Sequence, residues 1–228
     1  MKQYLAQALR RFTGRKPPPS RVSERIAVLH IPKTAGTSLR NLIEHSCANA
    51  NLLYYYPSRL VSEVARDPDG LLIGHFEFGY EDQFFNDCDR VTFLRPPLAR
   101  TASQLKYTRR YYTSSDEPED QEYRAWFAHN DLLSFIEYSR LWYFDNAMVR
   151  MLSSNAYNLP LGEVAPQHLE LAMQNQDRFN FVGFQDDFKR SLDALCARYE
   201  WPKIEFESNI SEEQDADVAL DVAELERY

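Results

Sequence analysis

The sequence predicts an α/β protein in three layers, with a central parallel sheet flanked by helices. Three observations carry this. The 228 residues suffice for one domain with a sizeable core. Hydrophobic residues make up 44% and aromatic residues 14% of the chain, a composition that folds rather than one that stays disordered. Short apolar runs suited to buried strands alternate with segments of helical spacing, the pattern of a parallel sheet covered on both faces.

Residues 1–24 are expected to be a basic segment ending in a linker, because Pro17, Pro18 and Pro19 cannot continue a helix. Up to Arg25, seven cations face Glu24 alone, a net of +6. Leu5, Leu9 and Phe12 would share one face of a short helix, which leaves two readings: a solvated terminus, or a peripheral contact with a membrane surface. The domain itself is expected over 25–204. Ile26 to Ile31 suits a buried strand, and Thr37 to His45 has helical spacing through Leu39, Leu42 and Ile43. Leu52 to Tyr56 reads as a second strand and Ser58 to Arg66 as a helix. Leu71 to His75 is a third strand, and Arg90 to Leu94 a fourth that runs into Arg95. A helix follows Pro97 to about Tyr107. From Tyr111 to Asn158 the chain is polar and aromatic with helical periodicity, as at Trp126 and Phe127 and again at Leu132, Leu133, Phe135 and Ile136. Phe179 to Phe184 is another strand and Asp187 to Tyr199 another helix. Residues 205–228 form an acidic tail, with a helix expected near Val218 to Arg227.

The net charge of −8 argues against a general nucleic-acid binder but leaves room for a local basic site. Cys47, Cys88 and Cys196 lie far apart with no CxxC pair, which points to a reducing compartment and away from a disulfide scaffold or zinc site. No apolar stretch approaches the roughly 20 residues of a membrane span, and Leu5 to Leu9 is too short and polar for a signal peptide.

The chemistry begins where the first strand ends. Pro32, Lys33, Thr34, Ala35, Gly36, Thr37 and Ser38 lead straight into a helix. Backbone N–H groups at a helix start favour an anion, Lys33 adds a mobile positive charge, and the hydroxyls of Thr37 and Ser38 can donate to an anion and cap the helix. Gly36 permits close backbone approach. The triphosphatase loop GxxxxGK[ST] puts its lysine after the glycines, whereas Lys33 precedes Gly36, so that pattern fails. A second anion site follows the fourth strand. Arg95 stands at a strand's carboxyl end, where open α/β sheets bind ligands, and its guanidinium can fork onto a phosphate with the Ser103 hydroxyl beside it. Arg100 reads equally as a ligand or as a surface or ion-paired helix residue. Gly74 and Gly79 bracket His75, whose near-neutral pKa suits it to remove a proton from a hydroxyl. Glu77 is an alternative base or a partner for His75.

The order Pro32-Lys33-Thr34 ahead of Gly36-Thr37-Ser38 resembles the 5′-phosphosulfate loop of sulfotransferases. Within them it looks most like the branch of heparan sulfate 2-O- and related carbohydrate sulfotransferases, whose fold is P-loop-like. Arg95 to Ser103 resembles that family's 3′-phosphate motif, Arg-(Asp/Glu)-Pro-(Val/Leu)-x-Arg-x-x-Ser, except that Pro96 stands where an acidic residue is usual. Gly74-His75 with Phe78 resembles its Gly-His-x-x-(Phe/Tyr) segment, which supplies the base. The resemblance covers Arg25 to Tyr107 and, more loosely, Asp145 to Tyr199, where Asn146 and Arg150 match a helix that lies near cofactor or acceptor.

By that resemblance the co-substrate is 3′-phosphoadenosine 5′-phosphosulfate, with no metal. Lys33, Thr34, Ala35, Gly36, Thr37 and Ser38 would hold its phosphosulfate, and Arg95 and Ser103 its 3′-phosphate. His75 would act as base and Lys33 would neutralise the leaving oxygen. The acceptor is expected to be a hydroxyl compound, a glycan or small molecule, and no nucleic acid. The lack of a span and the start at Met1 predict a cytoplasmic, bacterial enzyme. Two alternatives share the strand–loop–helix logic: a nucleotide-dependent small-molecule kinase, which would need magnesium and adenosine triphosphate, and a non-catalytic nucleotide-binding module. Residues Lys106 to Tyr112 form a basic, aromatic patch that reads as an acceptor contact or as a solvated helix end.

Overall fold

The structure, a computed structural model, describes residues 25–46, 51–55, 70–85 and 87–202. The expected segment 1–24, the helix over 58–66, Cys47 and the tail 205–228 lie outside the described residues. Strands β1 (Ile26–Leu29), β2 (Asn51–Tyr55), β3 (Gly70–Gly74), β4 (Asp89–Leu94) and β5 (Phe181–Phe184) form one sheet. Their order is β2-β3-β1-β4-β5, and every pairing is parallel. Five of the described helices matter for the site: α1 (Gly36–Ser46), α2 (Pro97–Ser114), α5 (Ala147–Leu152), α6 (Pro166–Gln176) and α7 (Phe188–Tyr199). Two short helices, α3 (Gln121–Phe127) and α4 (Phe135–Ser139), lie between α2 and α5.

Successive strand residues point to opposite faces, so each apolar strand must be covered twice. On one face Ile26, Val28, Ile73, Val91 and Phe93 pack against Leu39, Leu42 and Ile43 of α1 and Leu192 and Leu195 of α7. On the other, Ala27, Leu29, Leu72 and Val182 meet Met151 and Leu152 of α5 and Ala172 of α6, together with Phe76 and Phe85. This is the three-layer arrangement that the alternating pattern predicts. Leu42 and Ile43 are fully buried, and each such side chain contributes roughly 1.5–3 kcal/mol relative to exposure. Polar ties add direction to this packing: Tyr199 donates to the Asp89 carboxylate at 3.0 Å and so anchors α7 to β4.

Two elements differ from expectation. The helix after Pro97 runs to Ser114 rather than to about Tyr107. Its last turns are held by tertiary packing, with Tyr112 against Tyr123 and Phe135 at 4.5 and 6.1 Å between ring centroids. Those rings belong to an aromatic cluster in which Phe127 stacks on Phe135 at 4.3 Å, and it gathers the polar, aromatic middle of the chain. Helix α6 has no counterpart among the expected elements. Its buried residues are Ala172, Asn175 and Gln176, so it carries no apolar stripe for periodicity to detect.

Candidate functional site

In a parallel sheet all carboxyl ends lie on one edge, and β3, β1 and β4 are neighbours. Leu29 stands opposite Gly74 on one side and Thr92 on the other, so the three strands end nearly level. The 33–38 loop follows β1, His75 follows β3 and Arg95 follows β4. Segments more than sixty residues apart in sequence thus meet along one rim, where ligands of open α/β sheets bind.

The loop after β1 is strained. Lys33 and Ala35 take left-handed φ angles of 68° and 72°, which L residues avoid at about 1–2 kcal/mol each. Such strain persists where surrounding structure over-determines it and clusters at ligand clamps. Thr34 helps to enforce it: the residue is buried and its hydroxyl donates to the Ile31 carbonyl at 2.8 Å. That hydroxyl hydrogen closes the turn and is not presented to a ligand. The first helical hydrogen bond of α1 runs from Leu39 N–H to the Ala35 carbonyl at 3.1 Å. The N–H groups of Gly36, Thr37 and Ser38 precede it at the positive end of the helix dipole. Helix α1 has no acidic residue in its first turn. Thr37 is exposed and Ser38 half-buried, so both hydroxyls can meet solvent or solute.

Gly36 is required for a reason different from close ligand approach. Its φ is not left-handed, but a Cβ there would sit 1.6 Å from Nε2 of His30. The imidazole of His30 fills the space that any other side chain would need. His30 in turn lies against His75, with ring centroids 4.5 Å apart. Burial, then the nearby His75, Lys33 and Arg40, lowers its pKa to about 3, so the ring is neutral. His30 therefore both fills the loop and packs against the candidate base.

His75 itself is held by a backbone contact. Its Nδ1 lies 2.6 Å from the His30 carbonyl oxygen. A carbonyl can only accept, so Nδ1 carries the hydrogen and the lone pair of the neutral ring is on Nε2. Burial lowers the His75 pKa, opposed in part by the same carbonyl. Of the two bracketing glycines, Gly79 has the special backbone, with φ 92°, whereas Gly74 is an ordinary buried strand residue. The segment after His75 is firmly tied. Phe78 N–H donates to the Met151 carbonyl at 2.7 Å, and Arg90 pairs with Glu81 and Asp82. Glu77 is half-buried and its pKa is raised by that burial.

The arginines after β4 are short of partners. Arg95 Nη1 makes a long 3.4 Å contact with the Lys33 carbonyl, and its buried Nε has no hydrogen-bond partner among the described residues. Burial lowers its pKa, with Asp186 opposing. Arg100 is 2% exposed and donates to the Tyr143 carbonyl, while its Nη1 has no hydrogen-bond partner among the described residues. Burial and then Arg95 lower its pKa to about 10. Arg100 is thus a buried donor to a backbone carbonyl beside a second guanidinium rather than a surface residue. A half-buried and a buried guanidinium, each with an unused donor, fit a multiply charged anion. Ser103 is half-buried on α2, two turns beyond its start.

Arg150 and Asn146 do not join this group. Arg150 is fully buried, pairs with Asp145, and donates to the carbonyls of Ala156, Leu159 and Pro160 at 2.9, 2.7 and 2.9 Å. Asn146 donates to the Asp145 carboxylate at 2.8 Å with a left-handed φ of 52°. Both organise the 145–162 segment. The patch from Lys106 to Tyr112 does reach the rim: Lys33 Nζ lies 4.2 Å from the centroid of the Tyr107 ring. Sequence spacing carries no signal for that contact, since it depends on how α2 packs across the sheet edge. Among the described residues, no group of three or more His, Cys, Asp or Glu side chains could hold a metal ion, and no helix is long and apolar enough to cross a membrane.

No protein-family model matches this chain, and no curated protein matches it. Twelve solved chains match by structure. One is the crystal structure of mouse sulfotransferase SULT7A1 complexed with PAP, at TM-score 0.44 and 16% identity, over 81% of this chain and 62% of that one. This chain thus spans less than two thirds of that neighbour's length.

Proposed function

We propose that this protein is a sulfotransferase that moves a sulfuryl group from 3′-phosphoadenosine 5′-phosphosulfate to a hydroxyl. The observation that carries the reading is the convergence of three motifs on the ends of β3, β1 and β4: a base, an anion-binding helix start and a pair of partner-poor arginines. A donor with phosphate groups at two places calls for cations at both, and Lys33 after β1 and Arg95 after β4 are the candidates on this rim. Lys33 and the N–H groups of Gly36, Thr37 and Ser38 bind the phosphosulfate. Arg95 and Ser103 hold the 3′-phosphate. Ala35 contributes backbone only, and Thr34 supports the loop from beneath.

In the proposed in-line transfer, Nε2 of His75 removes the proton from the acceptor hydroxyl as its oxygen bonds to sulfur. The bond from sulfur to the bridging oxygen breaks, and Lys33 neutralises the charge that grows on that oxygen. A carbohydrate acceptor, placement in the cytoplasm and a metal-free reaction belong to this reading as proposals.

The test is nucleotide selectivity followed by turnover. The protein should bind 3′-phosphoadenosine 5′-phosphate more tightly than 5′-adenosine monophosphate, and Arg95→Met should abolish the difference. A hydrogen bond to a charged group is worth about 1.5–3 kcal/mol, so the selectivity lost is about 10- to 150-fold. Donor consumption with a panel of glycans and small alcohols then identifies the acceptor. Binding of adenosine triphosphate with a magnesium requirement, or no preference for the 3′-phosphate, overturns the reading. Selective binding with no release of product across the panel would favour the non-catalytic module.

A further inference from the structure

We propose that the Tyr107 ring is a resting seat for the Lys33 ammonium, which the lysine leaves when a donor arrives. The inference rests on the sulfotransferase reading, because it concerns the lysine that neutralises the leaving oxygen. Lys33 Nζ lies 4.2 Å from the Tyr107 centroid, within cation–π range. The backbone of Lys33 is held at φ 68° in the strained loop, so the start of its side chain is fixed and only its flexible end can move. Tyr107 stands one turn beyond Ser103 on α2, and residues four apart share a helix face. The seat therefore lies on the same face as the proposed 3′-phosphate hydroxyl.

The ring is itself steadied. Tyr111 stacks on it with centroids 6.3 Å apart, and the Arg110 guanidinium lies 5.9 Å from its centroid. Tyr107 is 42% exposed, so the cation–π contact is of the weak, solvated kind. Weakness suits the role. The seat biases Lys33 by about two- to five-fold, and a phosphosulfate bound by charge-assisted hydrogen bonds outcompetes it easily. A lysine parked on a ring is kept near the reacting atoms but off the anion path until there is charge to neutralise. Tyr107 is accordingly a positioning residue that acts through Lys33.

A ring series in the full chain tests this. Affinity for 3′-phosphoadenosine 5′-phosphate should rise about two- to five-fold in Tyr107→Leu, where the competing seat is gone. It should return to the original value in Tyr107→Phe and fall below it in Tyr107→Trp, the stronger cation acceptor. In a Lys33→Met background the four affinities should be level. Affinities that ignore the ring, or that change equally with Met at position 33, overturn the seat. A second measurement is independent of donor binding: the Lys33 ε-methylene protons should show an upfield ring-current shift in the native chain that disappears in Tyr107→Leu. If that shift is present but the nucleotide does not bind, the sulfotransferase reading fails and the parked lysine stands. If the nucleotide binds and the shift is absent, the seat alone fails.

Discussion

Acidification should destabilise this protein through one imidazole, and the size of the effect follows from where His30 sits. Inside the fold His30 stays neutral down to about pH 3, because burial and then the neighbouring His75, Lys33 and Arg40 disfavour its charge. In the unfolded chain it titrates near 6.5. Between those values the unfolded state binds the extra proton, so stability falls as the pH drops. Integrated from pH 7 to pH 5, the loss from His30 is about 2 kcal/mol. His75 acts in the same direction, since burial lowers its pKa too. Glu77 acts in the opposite one, because its raised pKa lets the fold take up a proton first. Asp145, whose carboxyl is lowered by Arg150, the Gly162 N–H and Asn146 in spite of burial, matters only at lower pH, below the ordinary carboxylate range of about 4. The measurement is urea unfolding at a series of pH values for the native chain and for His30→Gln, which fills much the same space without a charge. The pH dependence of the variant should be flatter by about 2 kcal/mol over this range. Parallel curves for the two proteins would refute the neutral, buried His30.

Three other outcomes are expected. Gly36→Ala should cost about 1–3 kcal/mol by forcing His30 from its place, and adding His30→Ala should recover part of that loss in a double-mutant cycle. His75→Ala should keep nucleotide affinity but lose about 100-fold or more of the transfer rate; unchanged turnover would remove His75 as the base. Arg150→Met should cost about 3–5 kcal/mol in denaturant unfolding, since it strands Asp145 and several carbonyls, while the nucleotide affinity of the folded fraction is unchanged.

Much of the sheet is legible in the sequence because buried strands and amphipathic helices leave local patterns. Ile26–Leu29 and Gly36–Ser46 are visible from apolar runs and from the spacing of Leu39, Leu42 and Ile43. Helix α6 leaves no such pattern, since it buries Ala172 and two amides rather than a stripe. The end of α2 is invisible for a related reason: Tyr112 is held by Tyr123 and Phe135, which come later in the chain.

The candidate site divides along the same line. The types and order of Lys33, Gly36, Thr37 and Ser38 point, in the sequence alone, to a loop suited to an anion, and His75 and Arg95 stand out as strand-end residues. Those are properties of single segments. That the three segments share a rim emerges in the fold, because strand order is set by sheet pairing and not by distance along the chain. The fold also reassigned individual residues. Thr34 turned inward to Ile31, Gly36 made room for His30, and the His30 carbonyl set the tautomer of His75. Lys33 came to rest over Tyr107. Each of these is a contact between atoms that the backbone brings together, and composition and spacing carry no record of it.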